Sequence, residues 1–347
     1  MLRLSAVCLV SLWLVGCSML PLPEPNPRLD TFVLHSEGLE GNLLADDPNR
    51  EIVVYLPPSY LTQPKKQYPV VYLLHGYGLA PYVWTGVSVD IQSIADRLMR
   101  AGTVNEMIIV MPNANTVFGG TFYYNSATVG LWEDFIVKDL VQAVESRYRV
   151  KQGRLSRGIA GHSMGAHGAI NIAMDYPDVF SSVYGLNSCC LGFGGGIGVD
   201  KEWYDTLLLD DDGNFGGASF KTKVHIALAT ALSANPDNSL FYADMPVRLV
   251  NNKVVKNHDV YQRWVDKLPL HKIAAKVANL KQLTAISFDS GHKDFPHIPK
   301  TSQLFSDELT KAGVEHQFEL HEGGHFNQVK KRLESHVLPF FSTHLSP

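Results

Sequence analysis

The chain has 347 residues, of which 45% are hydrophobic and 18% charged, and its formal net charge is −4. This length fits one large domain or two small ones, and the apolar share is that of a globular protein, which excludes disorder of the whole chain. Its 30 lysines and arginines are balanced by 34 aspartates and glutamates. Because phosphate binding needs clustered cations, a nucleic-acid binder is not expected.

The first residues predict an export signal with a lipid anchor. Arg3 precedes an apolar run that is too short to span a bilayer and that ends in a Leu-Val-Gly-Cys sequence at residues 14–17. This ending resembles a bacterial lipobox, in which residues 1–16 are removed as a signal peptide and Cys17 is lipidated. An ordinary secretory signal with a chance cysteine is the alternative.

Residues 17–30 contain four prolines and predict a stiff tether between the anchor and a folded domain at residues 31–347. Ser18, next to the lipidated cysteine, points to the outer membrane. We therefore expect a protein of the bacterial cell envelope that is attached to the membrane through its N-terminal lipid and faces the periplasm or the cell surface.

Beyond the tether, short apolar runs alternate with segments of helical periodicity. Strands are predicted at residues 52–56, 70–74, 107–111, 157–160, 182–186, 284–288 and 316–320. Helices are predicted at residues 89–101, 132–148, 166–174, near 301–312, and after Phe326. Continuous apolar strands separated by helices indicate an α/β domain with a mostly parallel sheet covered by helices on both faces.

Residues 192–270 interrupt this alternation and are interpreted as an insertion that forms part of a pocket wall. The segment opens with several glycines and contains a predicted hairpin at residues 247–255 that turns at Asn251-Asn252. An Asp-rich sequence at residues 210–214 lacks the spacing of a calcium loop and is interpreted as a solvated turn.

A G-x-S-x-G sequence at residues 161–165 lies between a predicted strand and a predicted helix. In this setting the serine, Ser163, occupies a strained tight turn that lifts its hydroxyl above the sheet, and the amide of Met164 can point at an oxyanion. A glycine-rich turn with an incidental serine is the alternative. We predict that Ser163 is a nucleophile.

A serine nucleophile needs a histidine base, and this chain has 14 histidines. His325 is favoured because it follows a predicted strand in a glycine-containing turn, and His321 is the alternative. His162, beside the serine, is expected to be structural. His292 and His297 lack metal-ligand spacing, so no metal site is expected.

An acid must orient the histidine, and a second amide must complete an oxyanion hole. Asp294, shortly after a predicted strand, is the favoured acid, and Asp289 is the alternative. The amide of Tyr77 is the favoured donor, because His75 and Gly76 follow a predicted strand directly.

With these residues the chain resembles the esterase D-like branch of the α/β-hydrolases, which includes feruloyl esterases, acetyl esterases, S-formylglutathione hydrolases and mycolyltransferases. The resemblance runs from about residue 51 to 341. It rests on His75-Gly76 with Trp84 downstream, and on residues 139–149, 161–165, 176–180, 289–294 and 323–325. It implies the α/β-hydrolase fold, with the insertion before the strand that carries the acid, and places Ser163, Asp294 and His325 at the triad positions.

These residues predict a serine carboxylesterase that works through an acyl-enzyme and needs no cofactor. S-formylglutathione hydrolases have a Ser-Gly-Leu-Thr-Cys-type loop where this chain has residues 75–78, which moves the expected substrate toward simple short-chain or acyl- and feruloyl-sugar esters. An acyltransferase of the same fold and a catalytically inactive surface-binding lipoprotein are the alternatives.

Several aromatic side chains lie near predicted strand ends, where ligands bind in open α/β sheets. Trp84, Tyr124 and Trp132 are the candidate substrate contacts, although each could equally belong to the core. Cys189 and Cys190 are adjacent, and because the ring that neighbouring cysteines would close is strained, no structural disulfide is expected.

Overall fold

The computed structural model of the chain describes residues 27–193, 206–208, 215–239 and 241–346. The predicted signal peptide, Cys17, most of the tether and the Asp-rich turn at residues 210–214 lie outside the described residues. Within the described ranges, no helix is both long enough and apolar enough to cross a membrane.

Strands of the described chain form one large sheet and two small antiparallel pairs. In chain order they are β1 Leu29–His35, β2 Asn49–Tyr55, β3 Val70–Leu74, β4 Ile108–Pro112, β5 Asn125–Ser126, β6 Gly130–Leu131, β7 Arg157–His162, β8 Ser182–Leu186, β9 Val247–Val250, β10 Lys253–Lys256, β11 Ala285–Gly291 and β12 Gln317–His321. The large sheet has eight strands in the order β1-β2-β4-β3-β7-β8-β11-β12. Strand β2 runs antiparallel to β1 and β4, and the other neighbouring pairs in this sheet are parallel.

The sheet is the middle layer of the domain. In β3 every residue is buried, and alternate side chains pack on opposite faces because side-chain direction alternates along a strand. Val70, Tyr72 and Leu74 join the larger hydrophobic cluster, whereas Val71 and Leu73 join the smaller one. Burial on both faces explains why the central strands are almost continuously apolar.

Helices cover both faces of the sheet. The described helices are Tyr82–Thr85, Ile91–Arg100, Trp132–Asp134 with its continuation through Phe135–Leu140 and Val141–Arg147, Met164–Asp175, Phe220–Leu232, His258–Lys267, Pro269–Leu280, His297–Lys311, and the terminal series Val329–Arg332, Leu333–Val337 and Leu338–His344. Phe135–Leu140 and Leu333–Val337 have the wider π-helical hydrogen-bond pattern. The predicted mostly parallel sheet with helices on both faces is confirmed.

Some boundaries differ from those that the sequence predicts. Strand β1 begins at Leu29, whereas the domain was expected to start at residue 31. Strand β11 continues to Gly291 instead of ending at residue 288, because residues 289–291 pair with β12. Asp289 and Ser290 are fully buried in spite of their polarity. Helix Pro269–Leu280 was not predicted, and it packs on helix Met164–Asp175 through an ion pair between Lys272 and Asp175.

Within residues 192–270, β9 and β10 form the predicted hairpin. Its turn residues Asn251 and Asn252 have φ values of 50° and 58°, which asparagine tolerates and which a two-residue hairpin turn of this type requires. Helices Phe220–Leu232 and His258–Lys267 supply the remainder of the described insertion and join the larger hydrophobic cluster.

Candidate active site

Ser163 occupies a strained turn between β7 and helix Met164–Asp175, with φ 56° and ψ −116°. The turn is possible because glycine flanks it on both sides. A Cβ on Gly161 would lie 2.3 Å from the carbonyl carbon of Gly165, and a Cβ on Gly165 would lie 2.1 Å from the carbonyl oxygen of Leu74. Any side chain at either position would push the helix away from the sheet, so the two glycines fix the position of the serine.

Three predicted residues from distant parts of the chain form one chain of hydrogen bonds. The Ser163 Oγ lies 2.9 Å from Nε2 of His325, and Nδ1 of His325 lies 2.8 Å from Oδ2 of Asp294. Since a carboxylate only accepts, Nδ1 carries the proton and Nε2 is left to accept from the serine hydroxyl. This arrangement can activate a serine for attack on a carbonyl carbon.

Burial and hydrogen bonding hold the acid and the histidine in place. The side chain of Asp294 is fully buried and that of His325 is 9% exposed. The second oxygen of Asp294 accepts a hydrogen bond of 2.6 Å from the amide of Phe295. Both carboxylate oxygens are thus occupied, which restricts rotation of the group that orients the imidazole.

The alternative acid and base, Asp289 and His321, are placed elsewhere. Asp289 accepts hydrogen bonds from the Arg332 Nε at 2.9 Å and the Tyr184 hydroxyl at 3.0 Å. His321 lies 3.7 Å from Asp289 and accepts from the amide of Gly323. Burial favours the neutral acid, but the contact with His321 and the charge of Arg332 outweigh it and lower the pKa of Asp289.

Two further histidines are neutral supports of the site. His162 donates from Nε2 to the carbonyl oxygen of His325 at 2.7 Å, and burial lowers the pKa of His162 to about 4. His75 donates from Nδ1 to the carbonyl of Gly76 at 2.8 Å and accepts at Nε2 from the amide of Ala114. Burial also lowers the pKa of His75 to about 4, so neither imidazole adds a positive charge at neutral pH.

The predicted oxyanion donors lie beside the serine. Gly76 faces the elbow, since a Cβ there would lie 3.4 Å from the Cβ of Ser163. Tyr77 follows it, and its hydroxyl donates to the carbonyl of Phe118 at 2.8 Å, which anchors the loop. The amide of Met164 opens a helix and so has no acceptor within that helix.

Asn187 was not singled out from the sequence, although it contacts the backbone of two loops of the site. It follows β8 directly, is fully buried and has a φ of 45°, in the left-handed region that asparagine tolerates. Its amide nitrogen Nδ2 donates to the carbonyl of His325 at 3.0 Å. An asparagine immediately after a buried strand was the available signal, but without the fold nothing distinguishes it from an ordinary turn residue.

A cavity of about 550 Å³ opens beside the serine. Ser163 and His325 form part of its surface, and most of the remaining wall is apolar. The insertion contributes Gly192, Phe193, Phe220, Lys221, Val224, His225, Leu228, Trp264 and Leu268, and the rest of the domain contributes Tyr77, Phe122, Cys189, Cys190, Phe295, Pro296, His297, Ile298 and Thr301.

The three aromatic residues suggested as substrate contacts do not line this cavity. Trp84 is buried in the hydrophobic cluster that contains helix Ile91–Arg100. The indole nitrogen of Trp132 donates to the carbonyl of Val129 at 2.8 Å. The hydroxyl of Tyr124 donates to the backbone carbonyl of Lys267 at 2.8 Å. All three are buried members of the hydrophobic clusters of the core.

Cys189 and Cys190 are thiols that line the cavity. A hydrogen bond with Cys190 and burial raise the pKa of Cys189 well above its usual value. A protonated thiol is a poor nucleophile, which disfavours Cys189, and Ser163 is the residue of this cavity that is hydrogen-bonded to a histidine base.

A serine on a strand–turn–helix elbow, with an acid and a histidine on loops after later strands of a mostly parallel sheet, defines the α/β-hydrolase class. A family model, Esterase, described as "Putative esterase", matches residues 47–329. The chain therefore belongs to this esterase family, and the predicted family and fold are confirmed. The prediction of a serine hydrolase acting on esters is confirmed at the level of the family.

Curated relatives and solved structures agree with this assignment. "Esterase Rv1288" of Mycobacterium tuberculosis is 29% identical over 247 residues, which are 64% of this chain and 50% of that protein. The chain thus spans about half the length of the curated relatives it matches.

Two solved structures extend the similarity in fold. A ferulic acid esterase has a TM-score of 0.62 and 24% identity, over 91% of this chain and 98% of the other. An S-formylglutathione hydrolase of Staphylococcus aureus has a TM-score of 0.57 and 17% identity, over 90% of this chain and 98% of the other.

Proposed function

We propose that this protein is a serine carboxylesterase in which Ser163, His325 and Asp294 are the catalytic triad. The observation that carries the proposal is the pair of hydrogen bonds, 2.9 Å and 2.8 Å long, that joins the serine through the histidine to the buried aspartate. Membership of the esterase family supports the same reaction.

In the first half-reaction the Ser163 Oγ forms a bond to the ester carbonyl carbon while His325 Nε2 takes the hydroxyl proton. The amides of Tyr77 and Met164 stabilise the negative oxygen, and one such donor contributes about 3 kcal/mol to transition-state stabilisation. The carbon–oxygen bond to the alcohol then breaks, and His325 gives its proton to the departing alcohol.

Water completes the cycle. It attacks the acyl-enzyme carbonyl and gives a proton to His325, and the acyl–serine bond breaks as Ser163 regains its proton. Asp294 holds the imidazole with Nδ1 protonated and stabilises the imidazolium that forms twice in each turnover.

The cavity supports a bulky, apolar acyl group, because its volume of about 550 Å³ lies next to Ser163 and its deeper wall is made of buried side chains such as Phe122, Leu228 and Trp264. We propose carboxylic esters of this kind as the substrates, and feruloyl-sugar esters are one example. The likeness in fold to a ferulic acid esterase is consistent with that choice.

Covalent labelling tests the proposed nucleophile. A fluorophosphonate should add one phosphonyl group to the native protein, and peptide mass spectrometry should place it on Ser163. The His325→Ala variant should react at least about 100-fold more slowly, because the base that activates the serine is missing. A label on another residue, or none at all, would contradict the proposal.

Filling the cavity should change which acyl groups are accepted. Leu228→Trp is expected to lower kcat/KM for feruloyl or decanoyl esters by roughly tenfold or more, and to leave acetyl esters nearly unchanged, because only large acyl groups need the occupied space. 4-Nitrophenyl esters of graded acyl size measure this. Leu155→Trp, at an exposed position outside the cavity, is the control, and equal losses for all esters would argue against an acyl site here.

We also propose that the protein is lipid-anchored in the bacterial cell envelope, on the basis of the sequence around Cys17. Cys17→Ala is expected to abolish incorporation of labelled palmitate and to move the protein from the membrane fraction to the soluble fraction. Cys8→Ala, within the predicted signal peptide, should retain both properties. Membrane association of the Cys17→Ala variant without a lipid label would contradict the anchor.

A further inference from the structure

The end of β8 and the turn after it contact the backbone of the Ser163 elbow, of the His325 loop and of the end of β11, the strand that precedes Asp294. The carbonyl of Leu186 accepts from the amide of Ser163 at 2.9 Å, and the amide of Cys189 donates to the carbonyl of Ser163 at 3.4 Å. The nucleophile is therefore bonded on both sides of its backbone to this turn. Asn187 lies between these two contacts.

Asn187 joins the same turn to the acid strand. The side-chain oxygen of Asn187 accepts from the backbone amide of Gly291 at 2.8 Å, and the backbone amide of Asn187 donates to Oδ1 of Asp289 at 3.1 Å. Gly291 is the last residue of β11, and its carbonyl accepts from the amide of Asp294 at 3.1 Å. Gly291 therefore links the side chain of Asn187 to the backbone of Asp294, the proposed acid.

The other end of the Asn187 side chain reaches the histidine loop. Nδ2 donates to the carbonyl of His325 at 3.0 Å, and that oxygen also accepts from Nε2 of His162 at 2.7 Å. Two donors from separate elements therefore converge on one carbonyl of the residue that must move protons. Because Asn187 is fully buried, water cannot readily replace these bonds.

We infer that Asn187 is a positioning residue, which holds the loop of His325 and the end of β11 at fixed distances from the Ser163 elbow. The inference rests on the proposed triad. Asn187 does not line the cavity, and its contact with His325 is to the carbonyl oxygen and not to the reacting imidazole. Asn187 acts on the rate by fixing the positions of the reacting side chains. These positions have to be held within about 0.5 Å, and a displacement of about 1 Å can lower the rate about 100-fold.

Glycine is the informative replacement, because it accepts the φ of 45° without strain and removes the side-chain hydrogen bonds alone. Asn187→Gly is expected to lower kcat by about 100-fold and to change KM by less than about threefold, since the cavity is intact. Labelling of Ser163 by a fluorophosphonate should slow in proportion.

Asn187→Asp keeps the volume and the oxygen that accepts from Gly291, but replaces the donor to His325 with an oxygen. It should lose at least about tenfold in kcat, which separates the contact with His325 from that with Gly291. His162→Phe removes the second donor and preserves an aromatic ring. Both donors bond the same carbonyl oxygen of His325. The loss in kcat of a double variant, in which His162→Phe is combined with the Asn187 substitution, should therefore differ from the product of the two single losses.

Asn171→Ala is the matched control. Asn171 is also fully buried, and it bonds Glu133 and Lys272 instead of a triad loop. It should lower Tm with kcat within about threefold of wild type. If the Asn187 variants fold and keep wild-type kcat, or if Asn171→Ala loses kcat equally, positioning by Asn187 is rejected. If Ser163→Ala retains activity, the proposed triad itself fails, and the two failures are distinguishable.

Discussion

Replacing Ser163 with alanine is expected to lower kcat for ester hydrolysis by about five orders of magnitude or more. The hydroxyl is the group that would bond to the acyl carbon, and the nearby thiol of Cys189, whose pKa is raised well above its usual value, is a poor substitute for it. KM should change little, because the cavity wall is unaltered. Initial rates with a 4-nitrophenyl ester, normalised to the concentration of folded protein, measure the effect.

Ser182→Ala is a suitable control for this experiment. Ser182 is fully buried, and it starts β8, so it lies at the opposite end of the strand from the turn that meets the elbow. Its replacement should leave kcat within about threefold of wild type. Substantial turnover by the Ser163→Ala protein, free of contaminating esterase, would refute an acyl-enzyme at this position.

The second large effect is expected for Asp294→Asn, which should lower kcat by about 10⁴-fold. Asparagine fits the same space but can donate to Nδ1 of His325, which favours the wrong tautomer of the imidazole. Nε2 would then carry the proton and could not accept one from Ser163. Tm should change little, so the loss of rate would be a chemical effect.

Asp289→Asn provides the contrast, because it replaces the other acid of the same segment. Asp289 pairs with Arg332, whose side chain is only 5% exposed, so the variant leaves a buried guanidinium with one carboxylate fewer. The free energy of unfolding should fall by about 3 kcal/mol, with kcat of the folded protein within about tenfold of wild type. Urea denaturation and ester-hydrolysis kinetics on one preparation measure both effects. A large loss of kcat in Asp289→Asn, with little loss in Asp294→Asn, would show that Asp289 is the catalytic acid.

Much of the fold could be predicted, because the central strands have patterns that are visible in a short stretch of sequence. Buried parallel strands are continuous apolar runs, and the elbow needs glycines at fixed spacing, so β3, β8 and the position of Ser163 are readable without tertiary contacts. The end of β11 was not readable. Asp289 and Ser290, near its end, are polar but buried, and the charge of Asp289 is paired with Arg332, which is distant in sequence.

The choice between two acids shows the same limit. Asp289 and Asp294 are close in the chain, and either could follow a strand toward the histidine. Only the folded chain reveals that one meets His325 and the other meets Arg332. Aromatic residues were ambiguous for a related reason, since Trp84 and Trp132 fill the core. The insertion, whose packing is long-range, supplies half of the cavity's aromatic wall through Phe193, Phe220 and Trp264.

The proposed triad and much of the cavity wall lie in different parts of the chain, which affects how the substrate range of such an enzyme can change in evolution. Ser163, Asp294 and His325 belong to the sheet and its loops, whereas Phe193, Leu228, Trp264 and other wall residues belong to residues 192–270. Substitutions within that segment can reshape the cavity, which is the proposed acyl site, without disturbing the hydrogen bonds of Ser163, His325 and Asp294. Exchange of the segment between relatives is therefore a route to new substrate ranges on an unchanged catalytic frame.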